Sequence, residues 1–186
     1  CIPNYPQGKF YKGYNIFNKL HEKLNKNLKV YRMPHIPRGN GSKINLILNY
    51  FSFFISTFIF TIYIMIFKKK YDKIIVHHTS PILITFHPII YKIIRRSKII
   101  LWDLDMWPQT LIAMNIIKNK LSINFFEKLM KFVYMQYDKI LLGSQSFIEI
   151  GRKRTSQNNL EYFPNWAEKL YFEEINTPKK KLKFPE

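Results

Sequence analysis

Acidic residues are scarce in this chain, with 12 Asp and Glu against 30 Lys and Arg and a formal charge of +18. That excess calls for an anionic neighbour, such as nucleic acid, an acidic membrane surface or a phosphorylated substrate. Cysteine is nearly missing: Cys1 is the only one, which excludes an internal disulfide framework and suits a reducing compartment. Glycine is sparse too, and the sequence has neither a G-x-G-x-x-G nor a Walker loop, so no nucleotide-binding turn is visible. Ser80 lacks a surrounding G-x-S-x-G, which argues against a hydrolase nucleophile. His77 and His78 are adjacent, but neighbours on a strand point to opposite faces, and no Cys or second His lies at ligand spacing. A metal centre is therefore not expected. His21, His35 and His87 are scattered and read as packing or surface residues. A signal peptide is not visible either, since no basic region leads into an early apolar stretch.

What the chain does have is apolar runs. "LKVYRM" (28–33), "KIIVHH" (73–78), "KIILWDL" (98–104) and "KILLG" (139–143) read as strands, the last three continuously apolar. Such runs mark strands buried on both faces, as in a parallel sheet covered by helices. Helix patterns lie at 44–67, 81–96, 110–118, 122–137 and 144–154. The alternation predicts an α/β domain, a Rossmann-like doubly wound parallel sheet. In the helix at 122–137, Phe126, Leu129, Met130 and Val133 share one side; Glu127, Lys128 and Lys131 are expected on the other, with Asn124 as a cap. Ser144 is positioned to cap the helix after it.

The run at 44–67, "INLILNYFSFFISTFIFTIYIMIF", contains no charged residue and is followed by Lys68, Lys69 and Lys70. It exceeds the about 20 apolar residues a membrane span needs. Its place between the first two strand patterns argues instead for a crossover helix, because a span would separate 28–33 from the rest of the sheet. Asn45, Asn49, Ser52, Ser56 and Tyr63 form a narrow polar stripe on it. The expectation is a helix packed on the sheet whose surplus apolar surface, rimmed by lysines, meets an anionic membrane surface through 44–70. Two rivals stand beside it. One is a nonenzymatic single-span protein. The other is a basic nucleic-acid module, which ranks last because the aromatics lie mostly within apolar runs.

Ligands of doubly wound sheets bind beyond the carboxyl ends of the strands. His78, Thr79, Ser80, Asp103, Asp105 and Ser144 are the polar residues expected there. Asp105 precedes "MWP" and can accept a proton or hydrogen bond from a substrate hydroxyl. Equally, it can cap a helix beginning near Pro108. The opening loop "IPNYPQGKFYKGY" carries tyrosines fit to stack on a sugar or base, with Lys9 and Lys12 for phosphate, or is an ordinary surface loop.

Taken together, "IPNYPQGKFYKGY", "YRMPHIPRGNGSKINLILNYFSFF", "TSP" at 79–81, "LWDLDMWPQT" and "KILLGSQSFIEI" followed by "YFPNWAE" resemble the amino-terminal domain of bacterial family 4 glycosyltransferases. The nearest likeness is to the subgroup that transfers amino sugars in O-antigen or capsule synthesis. The resemblance covers nearly the whole chain. It implies a retaining GT-B enzyme without metal or other cofactor, in which this acceptor domain faces a second, nucleotide-sugar-binding domain across a cleft. The acceptor implied is a polyprenyl-diphosphate-linked glycan at the cytoplasmic face of the bacterial inner membrane, with peripheral attachment and no nucleic acid. By position, Asp105 matches the acid of D-x-W-P and is assigned to the acceptor hydroxyl. Asn4, Tyr5, Pro6 and Gly8 match the loop flanking the acceptor cleft, and Ser80 and Trp107 fall in matching motifs. Pro164, Asn165 and Trp166 match the segment leaving the domain. Gln109 stands where relatives commonly carry Glu, so an acidic role there fails. The resemblance also sets the expected boundaries: a domain over 1–168, lacking its first strand and glycine-rich loop, and a linker over 169–186 toward a donor-binding domain. A polypeptide of that extent is expected to be inactive alone.

Overall fold

The structure, a computed structural model, describes residues 2–4 and 6–166. Strands β1 (His21–Lys23) and β2 (Lys29–Tyr31) come first, then helix α1 (Lys43–Phe67) and strand β3 (Lys73–His78). A 3-10 turn (Ile82–Thr85) leads into α2 (Phe86–Arg95), followed by β4 (Lys98–Asp103), α3 (Gln109–Ala113), α4 (Lys120–Gln136), β5 (Lys139–Leu142), α5 (Gln145–Arg152) and β6 (Leu160–Tyr162). The fold is mixed α/β. Strands β3, β4, β5 and β6 form a four-stranded, all-parallel sheet in that order, flanked by helices.

The registers align His78 with Asp103 and Asp103 with Leu142, so three strands end on one row. Alternation then decides what each face holds. Val76, Ile99, Leu101, Ile140 and Leu142 point into a core completed by Ile89 of α2, Met130, Val133 and Tyr134 of α4, and Ile148 of α5. All three helices therefore pack on the same face. On the opposite face Ile75 is 65% exposed, His77 is exposed, and Ile100, Trp102 and Leu141 are half-buried. Continuous apolar runs had predicted cover on both faces; among the described residues one face is bare.

The segment 28–33 is not part of this sheet. It supplies β2, paired antiparallel with β1 in a separate hairpin with His21 opposite Tyr31. The turn is closed by Asn25, whose Oδ1 accepts from Asn27 N and Leu28 N at 2.9 Å each. A strand's own apolar pattern does not name its partner, and this turn won over the long-range pairing. The helices are also trimmed. The pattern at 81–96 divides into the 3-10 turn and α2, and 110–118 shrinks to the single turn of α3. Helix α4 starts at Lys120 rather than 122, capped by Asn119, whose Oδ1 accepts from Ser122 N at 2.7 Å, so Asn124 is not the cap. Ser144 does cap α5, accepting from Phe147 N at 3.3 Å.

Since β2 lies outside the parallel sheet, α1 is not a crossover within it. Helix α2 is what holds α1. Thr57 and His87 are hydrogen-bonded at 2.8 Å, and Phe54 stacks on His87 with ring centroids 4.6 Å apart. Near the other end, Arg95 donates to the carbonyls of Met65 and Lys68 at 2.5 and 3.1 Å, satisfying acceptors that a helix end leaves open. Both links join positions thirty apart, so α1 runs parallel to α2. Helix α2 returns from the carboxyl end of β3 to the start of β4. The first turns of α1, Lys43 to Phe53, therefore extend beyond the start of α2, a length of about 16 Å.

The polar stripe of α1 faces protein over its first turns, whereas Tyr63, the last member expected on it, is 41% exposed. Asn49 donates to Ile36 O at 2.5 Å, Ser52 Oγ accepts from Ile36 N at 2.9 Å, and Asn45 donates to Asn40 Oδ1 at 2.9 Å. Asn49 and Thr61 are the buried residues of the helix. Outward lie Ile44, Ile47, Phe51, Ile55, Ile59 and Ile66, which stay 43 to 71% exposed. The helix is thus inverted relative to one packed on a soluble core, polar side in and apolar side out.

Candidate active site

Three polar residues stand two positions beyond the aligned strand ends: Ser80 after β3, Asp105 after β4 and Ser144 after β5. All three belong to the loops that leave the carboxyl edge of the sheet. Ser80 is half-buried and adopts φ of +134°, a region that non-glycine residues rarely enter. The bonds Ser80–Pro81 and Trp107–Pro108 are cis.

Asp105 is half-buried. Its Oδ2 accepts from its own turn, from Trp107 Nε1 at 2.9 Å, while Trp107 N donates to Asp105 O at 2.8 Å. The other carboxylate oxygen has no hydrogen-bond partner among the described residues. Helix α3 begins after Pro108 without a side-chain cap. The capping alternative for Asp105 is therefore not what the structure contains, and a carboxylate oxygen is left facing outward to accept a hydrogen bond. Trp107 packs edge-on against Phe126 at 5.4 Å and keeps the turn rigid.

A buried arginine anchors this turn from below. Arg154 is 1% exposed. It donates to Trp107 O at 2.5 Å, to Gln109 Oε1 at 2.9 Å and to both oxygens of Glu127 at 2.8 and 2.9 Å, with its guanidinium over the Tyr134 ring. Glu127 therefore turns inward, contrary to the solvent side expected for it. The Arg154 hydrogen bond holds its carboxyl below the usual range. Gln109, an amide where an acid was sought, accepts from Arg154 instead of facing the cleft. Sequence reasoning missed Arg154 because its partners lie 27 and 45 positions away.

His78 and Asp103, both expected at the edge, are fully buried. His78 Nδ1 lies 2.7 Å from Asp103 Oδ1, and Tyr134 donates to Asp103 Oδ2 at 2.7 Å. Burial, then the charge of Asp103, pushes the Tyr134 hydroxyl well above its ordinary range. This chain ties β3, β4 and α4 together beneath the strand ends and does not reach the surface. His77, as alternation requires, is on the bare face. Among the described residues, no three His, Cys, Asp or Glu side chains cluster as metal ligands.

The opening loop is built into a scaffold on the first turns of α1. Asn4 is buried; its amide donates to Ile2 O at 3.1 Å and to His35 Nε2 at 2.8 Å, and its Oδ1 accepts from Arg38 N at 3.4 Å. His35 donates from Nδ1 to Met33 O, so it is the neutral tautomer, and burial keeps its pKa below the ordinary value. Gly8 has φ of +74° and its O accepts from Gly39 N at 2.7 Å; a Cβ there would sit 1.8 Å from Gly39 O. Asn4 and Gly8 thus shape the loop, leaving exposed Pro6 at its surface, while Tyr5 lies outside the described residues. Among the described residues no hydrogen bond or ring contact joins the loop to Asp105. The two share only the end of the molecule on which they lie. Asn165 and Trp166 lie elsewhere, on the bare face beside Trp102.

The chain matches no family model and no curated protein.

Proposed function

We propose that the chain is the acceptor-side domain of a retaining GT-B glycosyltransferase that transfers a hexosyl or amino-sugar unit from a nucleotide sugar to a polyprenyl-diphosphate-linked glycan. It would act as a peripheral protein on the cytoplasmic face of a bacterial membrane, opposite a separate donor-binding domain. In this reading Asp105 orients or deprotonates the acceptor hydroxyl with its outward oxygen, and Ser80, Trp107 and the 2–14 loop bound the acceptor cleft. No cofactor is needed. The parent protein belongs to cell-surface polysaccharide synthesis.

The observation that supports it best is a conjunction at one end of the molecule. The loops that carry Ser80, Asp105 and Ser144 leave the sheet at its carboxyl edge, the side toward which the apolar, outward-facing first turns of α1 extend. A site for a lipid-linked sugar needs this combination of an acid within a helix length of a membrane-seeking surface. Exposed Lys68, Lys69 and Lys70 add positive charge at the other end of the same helix.

The experiment is flotation with vesicles carrying a polyprenyl-diphosphate-linked N-acetylhexosamine, against equal vesicles of anionic phospholipid alone. Tighter binding to the first set, lost in Asp105→Asn, is the expected outcome; equal binding to both defeats the acceptor reading. Sugar transfer by the chain alone would overturn the division of labour between two domains.

A single-span reading has one observation in its favour: α1, at 25 residues, is long and apolar enough to cross a membrane. Spanning would break the bonds of Asn49, Ser52, Thr57 and Arg95. A membrane-impermeant amine reagent added outside sealed vesicles should therefore label Lys43 and Lys68 alike, whereas labelling of only one end establishes a span.

A further inference from the structure

The hairpin of β1 and β2, with the loop before it, holds apolar side chains where turns ordinarily carry polar ones. Asn15 Oδ1 accepts from Phe17 N at 2.8 Å and from Asn18 N at 2.9 Å, closing a turn that leaves Phe17 89% exposed. Asn25 closes the turn after β1 in the same way. Leu24 and Leu28, joined across it by a backbone hydrogen bond of 3.0 Å, are 54 and 49% exposed. Neither turn is a loose loop. Arg32 anchors the first, donating to Lys19 O at 3.0 Å with its guanidinium 5.5 Å from the centre of the Tyr14 ring. Tyr31 seats the hairpin on α1 by packing against Phe60, with ring centroids 5.0 Å apart.

We infer that these two turns dip into the headgroup layer of an anionic lipid surface. Charge selects an anionic partner: residues 9–32 hold seven Lys and Arg against one acid, Glu22, which is itself paired with Arg32 at 2.8 Å. The apolar side chains select lipid over nucleic acid. Single-stranded nucleic acid stacks its bases on outward rings, but Tyr14 lies under Lys19 and Arg32, and Tyr31 touches both His21 and Phe60. Phe10 packs edge-on against His35. The exposed large apolar side chains of the stretch are one ring, Phe17, and three aliphatic groups, Ile16, Leu24 and Leu28. Apolar tips set among lysines suit the boundary between acyl chains and anionic headgroups. The inference extends the proposed peripheral attachment to residues outside α1, and it requires neither Asp105 nor sugar transfer.

The test places an environment-sensitive fluorophore at position 17, through Phe17→Cys in a Cys1→Ser background, and in a second protein at Ile55→Cys on the outward side of α1. Each is mixed with vesicles of phosphatidylglycerol or of phosphatidylcholine whose acyl chains carry bromine quenchers. A blue shift with quenching at position 17 is expected on the anionic vesicles. Unlabelled Phe17→Ser should bind them about tenfold more weakly at an unchanged melting temperature. Lys23→Gln with Lys26→Gln should bind them about thirtyfold more weakly and bind neutral vesicles as the wild type does. The inference falls if position 17 gives no shift, if Phe17→Ser binds as tightly as the wild type, or if single-stranded RNA shifts the label where vesicles do not. A shift at position 55 alone keeps attachment through α1 and removes the turns; a shift at position 17 alone does the reverse.

Discussion

Arg154 and Glu127 are unequal partners, and their inequality can be measured. Arg154 is 1% exposed and Glu127 side chain 39%. Removing the carboxylate in Glu127→Gln leaves a buried guanidinium facing only neutral acceptors, a change expected to cost about 3 kcal/mol. Removing the cation in Arg154→Met leaves a carboxylate able to turn toward water, so the loss should be smaller, about 1–2 kcal/mol. Urea unfolding of both variants checks the order; an equal or reversed ranking would mean that the pair is not asymmetrically buried. Asp105→Asn is expected to behave differently from either. It keeps an acceptor for Trp107 Nε1 and therefore the fold; on the proposed transfer reading, an enzyme that contains this domain should lose about 10²–10⁴-fold in rate, read as initial rate at an unchanged melting temperature. The sequence shows which residues end the strands, but not which of them are reachable. Asp103 and Asp105 look alike in "LWDLDMWP", and only the alternation of the folded strand, with His78 and Tyr134 placed from other elements, separates the buried tie from the outward acid.

Helix α1 is the element whose meaning changed most. Its length and its polar stripe were both legible in the sequence, whereas the direction of the stripe was not. The partners of Asn49 and Ser52 belong to Ile36, in a loop without periodicity of its own. The same blindness put β2 in the wrong sheet. The stripe makes two outcomes specific. Phe51→Glu with Ile59→Glu changes only outward positions, so secondary structure and melting temperature should hold while vesicle partitioning weakens about a hundredfold, at roughly 1.5 kcal/mol per lost apolar contact. A comparable loss of melting temperature would show that these side chains are packed. The inner side responds to pH instead. Burial pulls the pKa of His87 down to about 4, and its Nδ1 has no hydrogen-bond partner among the described residues. Unfolded, the imidazole takes a proton near its ordinary value of about 6.5. The unfolded chain thus binds more protons between those limits, and the stability supplied by neutral His87 is complete above about 6.5 and declines as pH falls toward 4. Thermal melts across that interval should show the decline in the wild type and a shallower one in His87→Phe, which keeps the stack on Phe54.

At the scale of the molecule, the asymmetry of charge and apolarity bears on the proposed attachment to a bilayer. Helices α2, α4 and α5 cover one sheet face, α1 rides on α2, and the apolar side of α1 points away from all of them. If the outward stripe lies in the interface, the axis of α1 runs along the membrane plane. The transfer reading then requires the carboxyl edge, with Asp105, to lie within reach of the headgroup level where a diphosphate-linked sugar would stand. Two forces would hold that pose, and salt separates them. Attraction of the lysines to anionic lipid is worth about 1 kcal/mol per residue near the surface and is screened within about 8 Å at physiological ionic strength. Apolar insertion is not screened at all. Raising salt should therefore weaken wild-type binding to anionic vesicles only partway, to a plateau that vesicles of neutral lipid already show at low salt. Lys68→Gln, Lys69→Gln and Lys70→Gln together should start closer to that plateau and lose part of the salt dependence. If salt instead releases the wild-type protein completely, the stripe contributes nothing to docking, and the charge of the chain serves some other anionic partner.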